Sequence, residues 1–282
     1  MKVLQFVEEL ASEIVALRAE GKCIGFVPTM GALHEGHLSL VNISKEQCDI
    51  TVCSIFVNPT QFNEIEDLES YPKTLDEDKK KLKAAHTDIL FYPGVEEVYP
   101  PGLSTLVNVD FSDLDKVMEG VFRPGHFEGM AQVVKRLLDI VQPDLLFMGQ
   151  KDFQQAAIVQ HMINTLQLNV ELVICPIMRE AHGLAMSSRN VRLSELDRMR
   201  AGQLFKALCY LQSDYLEGVP LETAVENAKS MLKLPGFKLE YLEVVDTATL
   251  KKVENWKDAP RIIVCVACWV GEVRLIDNKY LN

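Results

Sequence analysis

Two histidines three positions apart, His34 and His37, follow a glycine in "FVPTMGALHEGHLSLV", Phe26 to Val41. If a helix starts near His34, residues i and i+3 share one face, so both imidazoles point the same way beside backbone N–H groups that a first helical turn leaves unpaired. Such an end attracts anions. Three chemistries compete for the pair: phosphate binding, a metal site, and histidines without a role. The metal reading lacks an evident third ligand and the four-residue spacing of H-E-x-x-H. Two polar rings after a Gly turn also fit poorly with burial, so phosphate is the expectation. The helix end disfavours a cationic imidazole by about 0.3 to 1 kcal/mol, whereas a phosphate charge about 4 Å away favours it by roughly 4 kcal/mol at an effective dielectric near 20. At least one ring is therefore expected to become a proton donor only once a nucleotide is bound.

Three further loops carry groups suited to an anionic substrate. In "SIFVNPTQF", Asn58 and Gln61 offer neutral amides that donate and accept at once, as hydroxyl recognition requires; an Asn-Pro turn with a solvent-facing Gln is written the same way. In "FMGQKDFQQAAIV", Gly149 ends a strand, Lys151 supplies a cation, Asp152 is placed to cap a helix, and Gln155 lies three residues on along the same face. This is a phosphate-gripping turn without Walker A spacing, or else a capped helix with an exposed Lys. "MREAHGLAMSSRNVRLS" gathers Ser187, Ser188, Arg189 and Arg192, donors matched to a triphosphate or simply a basic linker. "FRPGHFEG" adds Arg123 and His126, in either a mobile substrate loop or a plain turn.

The segments between these loops alternate in hydrophobic period. Helical spacing from Leu4 to Glu20 stops at Gly21, and nearly continuous β-branched runs at Lys22 to Val27 and Asp49 to Val57 read as strands buried on both faces, with Pro28 ending the first. "HEGHLSLVNISKEQ" between them is helical, which makes a βαβ unit. Helices from about Leu75 to Ala85, Gly129 to Gln142 and Phe153 to Leu166 then alternate with strands at Asp88 to Pro93, Asp144 to Gly149 and Val170 to Cys175. A doubly wound parallel sheet follows, with ligands at the carboxyl ends of its strands. After Arg192 the pattern changes to helices at Ser194 to Leu216 and Leu221 to Leu232, then strands at Lys238 to Asp246 and Arg261 to Asn278. The division expected is an α/β domain over 1–182 and a smaller α+β domain over 183–282.

Composition excludes several classes. A formal charge of −11 offers no basic face for nucleic acid, and the run "DEDKKKLKAAH" reads as the wet face of a helix. A local cluster of Arg, Lys and His still suits a small anion, because salt screens distant acids beyond about 8 Å. No apolar run reaches the roughly 18 residues of a membrane span, and the acid-rich start is unlike a secretory signal, so a soluble cytoplasmic protein is expected. Seven scattered cysteines read as reduced, buried thiols. Cys265 and Cys268 lie in the strand-like "RIIVCVACWV", where residues three apart face opposite ways, which argues against zinc.

Taken together, "PTMGALHEGH", "SIFVNPTQF", "YPKTLDED", "FRPGHFEGM", "GQKDFQQ", "MSSRN" and "RLIDN" occur in the order that resembles the pantothenate synthetase family, over nearly the whole chain. The first resembles the H-x-G-H signature of nucleotidyltransferases, with a Rossmann-like fold. The resemblance implies a ligase that joins pantoate to β-alanine, with Mg-ATP as co-substrate, through a pantoyl adenylate, releasing pyrophosphate and then AMP. It implies nucleotide contacts from Met30, Gly31, Ala32, Leu33, His34, Glu35, Gly36 and His37, with His37 the proton donor and His34 beside it. Gly149, Gln150, Lys151 and Asp152 would frame the nucleotide with Lys151 on its phosphates, while Met186, Ser187, Ser188 and Arg189 close over the triphosphate from the smaller domain. Gln61 and Gln155 would hold pantoate, aided by Asn58 and Arg123, with Gln61 also meeting β-alanine. Met178 stands where many relatives carry Val, a departure that bears on the adenine pocket. Magnesium ligands stay open between the acids around Asp76 to Asp78 and the phosphates with water. A homodimer is also implied.

Overall fold

The computed structural model describes residues 1–61, 68–69 and 71–282, so Phe62 of "SIFVNPTQF" lies outside the described residues. Six parallel strands form the main sheet: β1 (Lys2–Leu4), β2 (Ile24–Thr29), β3 (Ile50–Ile55), β4 (Ile89–Phe91), β5 (Leu145–Gly149) and β6 (Glu171–Cys175). Their order is β1-β4-β3-β2-β5-β6. Successive side chains of β2 go to opposite faces: Phe26 packs with Leu10 and Ile14 of α1 (Val7–Ala19), while Val27 packs with Leu40 and Val41 of α2 (Glu35–Gln47). The α1 side of the sheet is completed by α6 (His126–Val141) and α7 (Phe153–Thr165), and the α2 side by α3 (Leu75–Ala84). Short turns α4 (Val95–Val98) and α5 (Glu119–Phe122) lie between. Phe26, Phe91 and Phe147 are fully buried, each contributing about 1.5 to 3 kcal/mol relative to exposure.

The direction of winding reverses at β2, which has β3 on one side and β5 on the other, and that is where a ligand crevice opens. Pro28 does not end β2 but sits inside it, opposite Ser54. The reason lies in alternation. Ile24 turns its carbonyl toward the β5 side, where it accepts the Asp144 N–H at 2.8 Å, and Pro28, four residues on, faces the same side. Pairing of β2 with β5 has already stopped at Phe26 and Leu146, so the missing N–H of proline costs no ladder bond. The two strands diverge there and leave room between their ends.

The second unit holds α8 (Glu195–Ala201), α9 (Gln203–Glu217), α10 (Leu221–Met231) and an antiparallel sheet β7 (Phe237–Asp246), β8 (Ile262–Val270), β9 (Val273–Tyr280). The single helix expected over Ser194 to Leu216 is two, divided at Gly202, where the His182 carbonyl occupies the space of any Cβ. β1 is an edge strand too short to show a period. The small sheet is apolar on both faces: Leu242, Val264 and Cys268 pack on α9 and α10, whereas Tyr241, Ile263 and Cys265 join the core of the parallel sheet. Cys265 and Cys268 thus face opposite ways, as a strand requires, and all seven cysteines are free. Among the described residues no helix is long and apolar enough to cross a membrane.

Candidate active site

The chain leaves β2 at Thr29, turns through Gly31 and Ala32 in the left-handed region (φ 82° and 49°), and enters α2 with His34 as its N-cap. The Nδ1 of His34 accepts the Gly36 N–H at 3.1 Å, and the Nδ1 of His37 accepts the His34 N–H at 3.3 Å. Their rings lie 4.0 Å apart. Burial, followed by the charges of Lys151 and Lys81, holds His34 down at about 4. Burial again, with His34, Lys151 and Lys81, holds His37 well below its ordinary value. Both rings are therefore neutral at pH 7, and because Nδ1 is an acceptor in each, the proton sits on Nε2. They are hydrogen-bond donors without a nucleotide, and neither is a cation, which is the starting state from which the protonation expected upon nucleotide binding would begin. Gly36 is required because the His34 ring lies where its Cβ would be, 2.8 Å from the nearest ring atom.

Asp78 on α3 fastens this loop. Its carboxylate accepts the Ala32 N–H at 2.9 Å, the Leu33 N–H at 2.8 Å and the Thr74 hydroxyl at 3.2 Å. Lys81, one turn further on, donates to the Leu33 carbonyl at 2.6 Å. The Lys run is thus not wholly a wet face: Lys80 and Lys83 are exposed, but Lys81 is half-buried against the histidine loop, because i+3 from Asp78 returns to the same side of α3.

Across a cavity of about 270 Å³, the Gln61 amide donates to Met30 Sδ at 3.0 Å. Asn58 is 1% exposed and its amide is fully engaged: it donates to Gln61 Oε1 (3.3 Å) and the Gly129 carbonyl (3.1 Å) and accepts from Tyr99 (2.9 Å) and the Thr60 hydroxyl (3.1 Å). With nothing left for a ligand, it orients Gln61 rather than binding. Gly129 is small because the Thr60 carbonyl packs on it, which seats the Gln61 turn on α6. His126, at the start of α6, donates from Nδ1 to the Gln61 carbonyl at 2.9 Å.

The turn after β5 brings Gly149, Lys151 and Asp152 to the cavity with Gln155 beside them. Lys151 Nζ lies 3.6 Å from the Asp152 carboxylate, and Asp152 makes no capping hydrogen bond, contrary to the cap expected of it. The turn's backbone is engaged instead by the second unit: Asn278 Nδ2 donates to the Gln150 and Lys151 carbonyls at 2.8 and 2.9 Å, while Gln150 Nε2 donates back at 3.0 Å. Arg179 grips the adjacent Asp277 through two bonds of 2.6 and 2.9 Å. Ser188 donates to the Ala32 carbonyl at 3.0 Å, which docks the 186–189 loop on the histidine loop. Glu119, buried beside the cavity, takes both arms of Arg274 (2.7 and 2.8 Å) and the Tyr241 hydroxyl (2.8 Å), and these partners hold its carboxyl below the usual range although burial alone would push it up.

Comparison with known proteins decides what this arrangement belongs to. The family model for pantoate-beta-alanine ligase matches residues 2–280. The chain belongs to the pantoate–β-alanine ligase family. It is 47% identical to the pantothenate synthetase of Bacteroides thetaiotaomicron, with 99% of each chain covered, and 45% identical to that of Thermotoga petrophila, with 100% of each covered. Its fold matches the crystal structure of pantothenate synthetase from Thermus thermophilus with a TM-score of 0.93 and 41% identity, covering 100% of this chain and 99% of that one. A pantoate-beta-alanine ligase from Francisella tularensis, complexed with beta-gamma ATP and β-alanine, matches with a TM-score of 0.82 and 34% identity, covering 100% and 98%. As a family member the chain is an ATP-dependent ligase that forms pantothenate.

For a pantoate–β-alanine ligase, most of the residues expected at the site converge. Met30, His34, Gly36, His37, Gln61, Arg123, Gly149, Lys151, Asp152, Gln155, Met178, Met186, Ser187, Ser188 and Arg189 line one cavity. Others of the same runs do not present side chains to it: Leu33 is core, Glu35 is exposed on the outer side of α2, and Gln150 turns to Asn278. Met178 offers the cavity an exposed side chain, its carbonyl being occupied by the Met186 N–H. Lys81 and Glu119 escaped the sequence reading as site residues, Asn278 entered it only within "RLIDN", and Asp78 entered it only as a candidate magnesium ligand, since each acts through backbone or through another side chain. The fit to a protein-held metal is poor. Among the described residues no cluster of three or more His, Cys, Asp or Glu could hold one, Asp76 and Glu77 are exposed, and both Asp78 oxygens are used on backbone.

Proposed function

We propose that this chain activates pantoate on ATP at the amino end of α2 and passes the acyl group to β-alanine. A pantoate carboxylate oxygen attacks the α-phosphorus, the bond to pyrophosphate breaks, and the amine nitrogen of β-alanine then attacks the acyl carbon and expels AMP. The observation that carries this reading is the convergence of two Nε2–H donors and Lys151 at the strand crevice. Charge grows on phosphoryl oxygens in the first step, so fixed donors supply the catalysis, and no nucleophilic side chain is required. His37 and His34 donate to those oxygens and Lys151 to the phosphates, with Ser187, Ser188 and Arg189 covering them. Gln61 and Gln155 hold the pantoate hydroxyls and carboxylate, beside Arg123. Mg²⁺ enters with ATP as part of the substrate, held by phosphate oxygens and water.

Pyrophosphate release with ATP and pantoate alone, and AMP release only after β-alanine is added, are the expected results. AMP release independent of β-alanine would overturn the reading. His37→Ala and Lys151→Ala should each slow the first step by about 10² to 10³ with folding intact; a near-parental rate in both would remove these roles. The reading includes a cytoplasmic homodimer built of a 1–182 domain and a 183–282 domain, for which light scattering of the purified chain tests the stoichiometry.

A further inference from the structure

Among the described residues that line the cavity, five bring N–H donors suited to anions. His34 and His37 present Nε2–H, and Lys151, Arg123 and Arg189 are cations. This suits phosphates and a carboxylate, but the second substrate attacks as an amine, whose N–H groups need an acceptor. Among the described residues, Glu119 is committed to Arg274 and Tyr241 and Asp277 to Arg179, while Asp152 lies 3.6 Å from Lys151 Nζ, beside the cation of the phosphate side. His126 differs from the other two histidines of the cavity. Its Nδ1 faces the Gln61 carbonyl, which can only accept, so Nδ1 carries the proton and Nε2 carries a lone pair. Among the described residues that Nε2 has no partner, and the ring is 5% exposed in the cavity wall. The same hydrogen bond ties it to Gln61, on the acyl side of the cavity rather than beside the phosphates.

We propose that His126 Nε2 accepts a hydrogen bond from the attacking amine and takes its proton during acyl transfer. This rests on the adenylate reading above. The amine lone pair forms the C–N bond, the acyl C–O bond breaks with its electrons leaving on AMP, and the N–H proton passes to Nε2. Burial and Arg123, opposed by Glu119 and Asp152, hold His126 down at about 4, so the acceptor is unprotonated throughout the neutral range. One cavity thus holds three neutral imidazoles in two tautomers, two donors for the anionic first step and one acceptor for the amine of the second.

The test separates the half-reactions in His126→Asn, whose amide can still donate to the Gln61 carbonyl but offers nothing at the Nε2 position. Pantoate-dependent exchange of pyrophosphate into ATP should stay within about threefold of the parent, while β-alanine consumption of enzyme-bound adenylate in rapid quench should slow by about 10². An amine step within threefold of the parent would overturn the proposal, and so would an equal loss in both steps by a folded variant, which would leave His126 only a support for Gln61. If the variant does not fold, ¹⁵N spectra of histidine-labelled parent enzyme decide: a bare Nε2 on His126 at pH 7 supports the proposal and an Nε2–H or a cation overturns it. Absence of exchange in the parent would strike the adenylate reading itself.

Discussion

Replacing Asp78 by Asn tests whether the histidine loop is built or merely present. The carboxylate takes two backbone N–H groups at 2.9 and 2.8 Å, from Ala32 and Leu33, and Ala32 is held at φ 49°, which a non-glycine residue rarely adopts. Hydrogen bonds to a charged group contribute about 1.5 to 3 kcal/mol each, and a residue held in that region stores about 1 to 3 kcal/mol of strain. Asn keeps one acceptor and turns an NH₂ toward the other N–H, so Asp78→Asn should cost about 3 kcal/mol in urea unfolding. Released strain lets the loop relax, and a shift on the order of 1 Å in His34 and His37 should slow pyrophosphate exchange by about 10². A metal-ligand role would give the opposite pattern: unchanged stability and activity restored by raising Mg²⁺. That pattern would refute the assignment.

Three other outcomes follow from the geometry. Neutral His34 and His126, both at about 4 in the folded chain, bind fewer protons than in the unfolded chain between pH 4 and 6.5, so stability falls as pH drops through that window, by about 2 kcal/mol for each between pH 7.5 and 5, with buried His37 adding in the same direction; urea midpoints that stay flat over this range would contradict it. Gly36→Ala places a Cβ 2.8 Å from the His34 ring and should slow pyrophosphate exchange by at least tenfold with far-UV circular dichroism unchanged; a parental rate would show that the ring is free to move. Glu119→Gln leaves Arg274 with Glu240, 2.7 Å from its Nε, as its remaining carboxylate and should cost about 1.5 to 3 kcal/mol, while Arg274→Met added to it should cost less than the sum of the two singles; simple additivity would deny the pair.

The parallel sheet was legible because its strands are continuous apolar runs and its helices carry a 3.6-residue period, which leaves few alternatives at this length. The loops were legible because they hold groups with little structural use outside chemistry, His34, His37 and Lys151 above all. Pro28 misled because a proline reads as a strand end unless the neighbouring strand is known to have diverged. Asp78 was legible only as one of several acids that could meet magnesium, and its hold on the loop, like that of Lys81, lay hidden in a charged helix, since their contacts are to backbone 45 and 48 residues away and backbone partners leave no mark in sequence. Asn58 and Asn278 have the letters of ligand-binding residues, and only the hydrogen-bond geometry shows that their amides are spent within the protein.

A crystal structure with ATP, or a non-hydrolysable analogue, and pantoate tests the central claim most directly. The triphosphate should lie on the first turn of α2, with phosphate oxygens within hydrogen-bond distance of the Nε2 atoms of His34 and His37 and of Lys151 Nζ, and the pantoate carboxylate facing Gln61 and Gln155. A nucleotide seated elsewhere, or imidazoles that turn Nδ1 to the phosphates, would contradict the account.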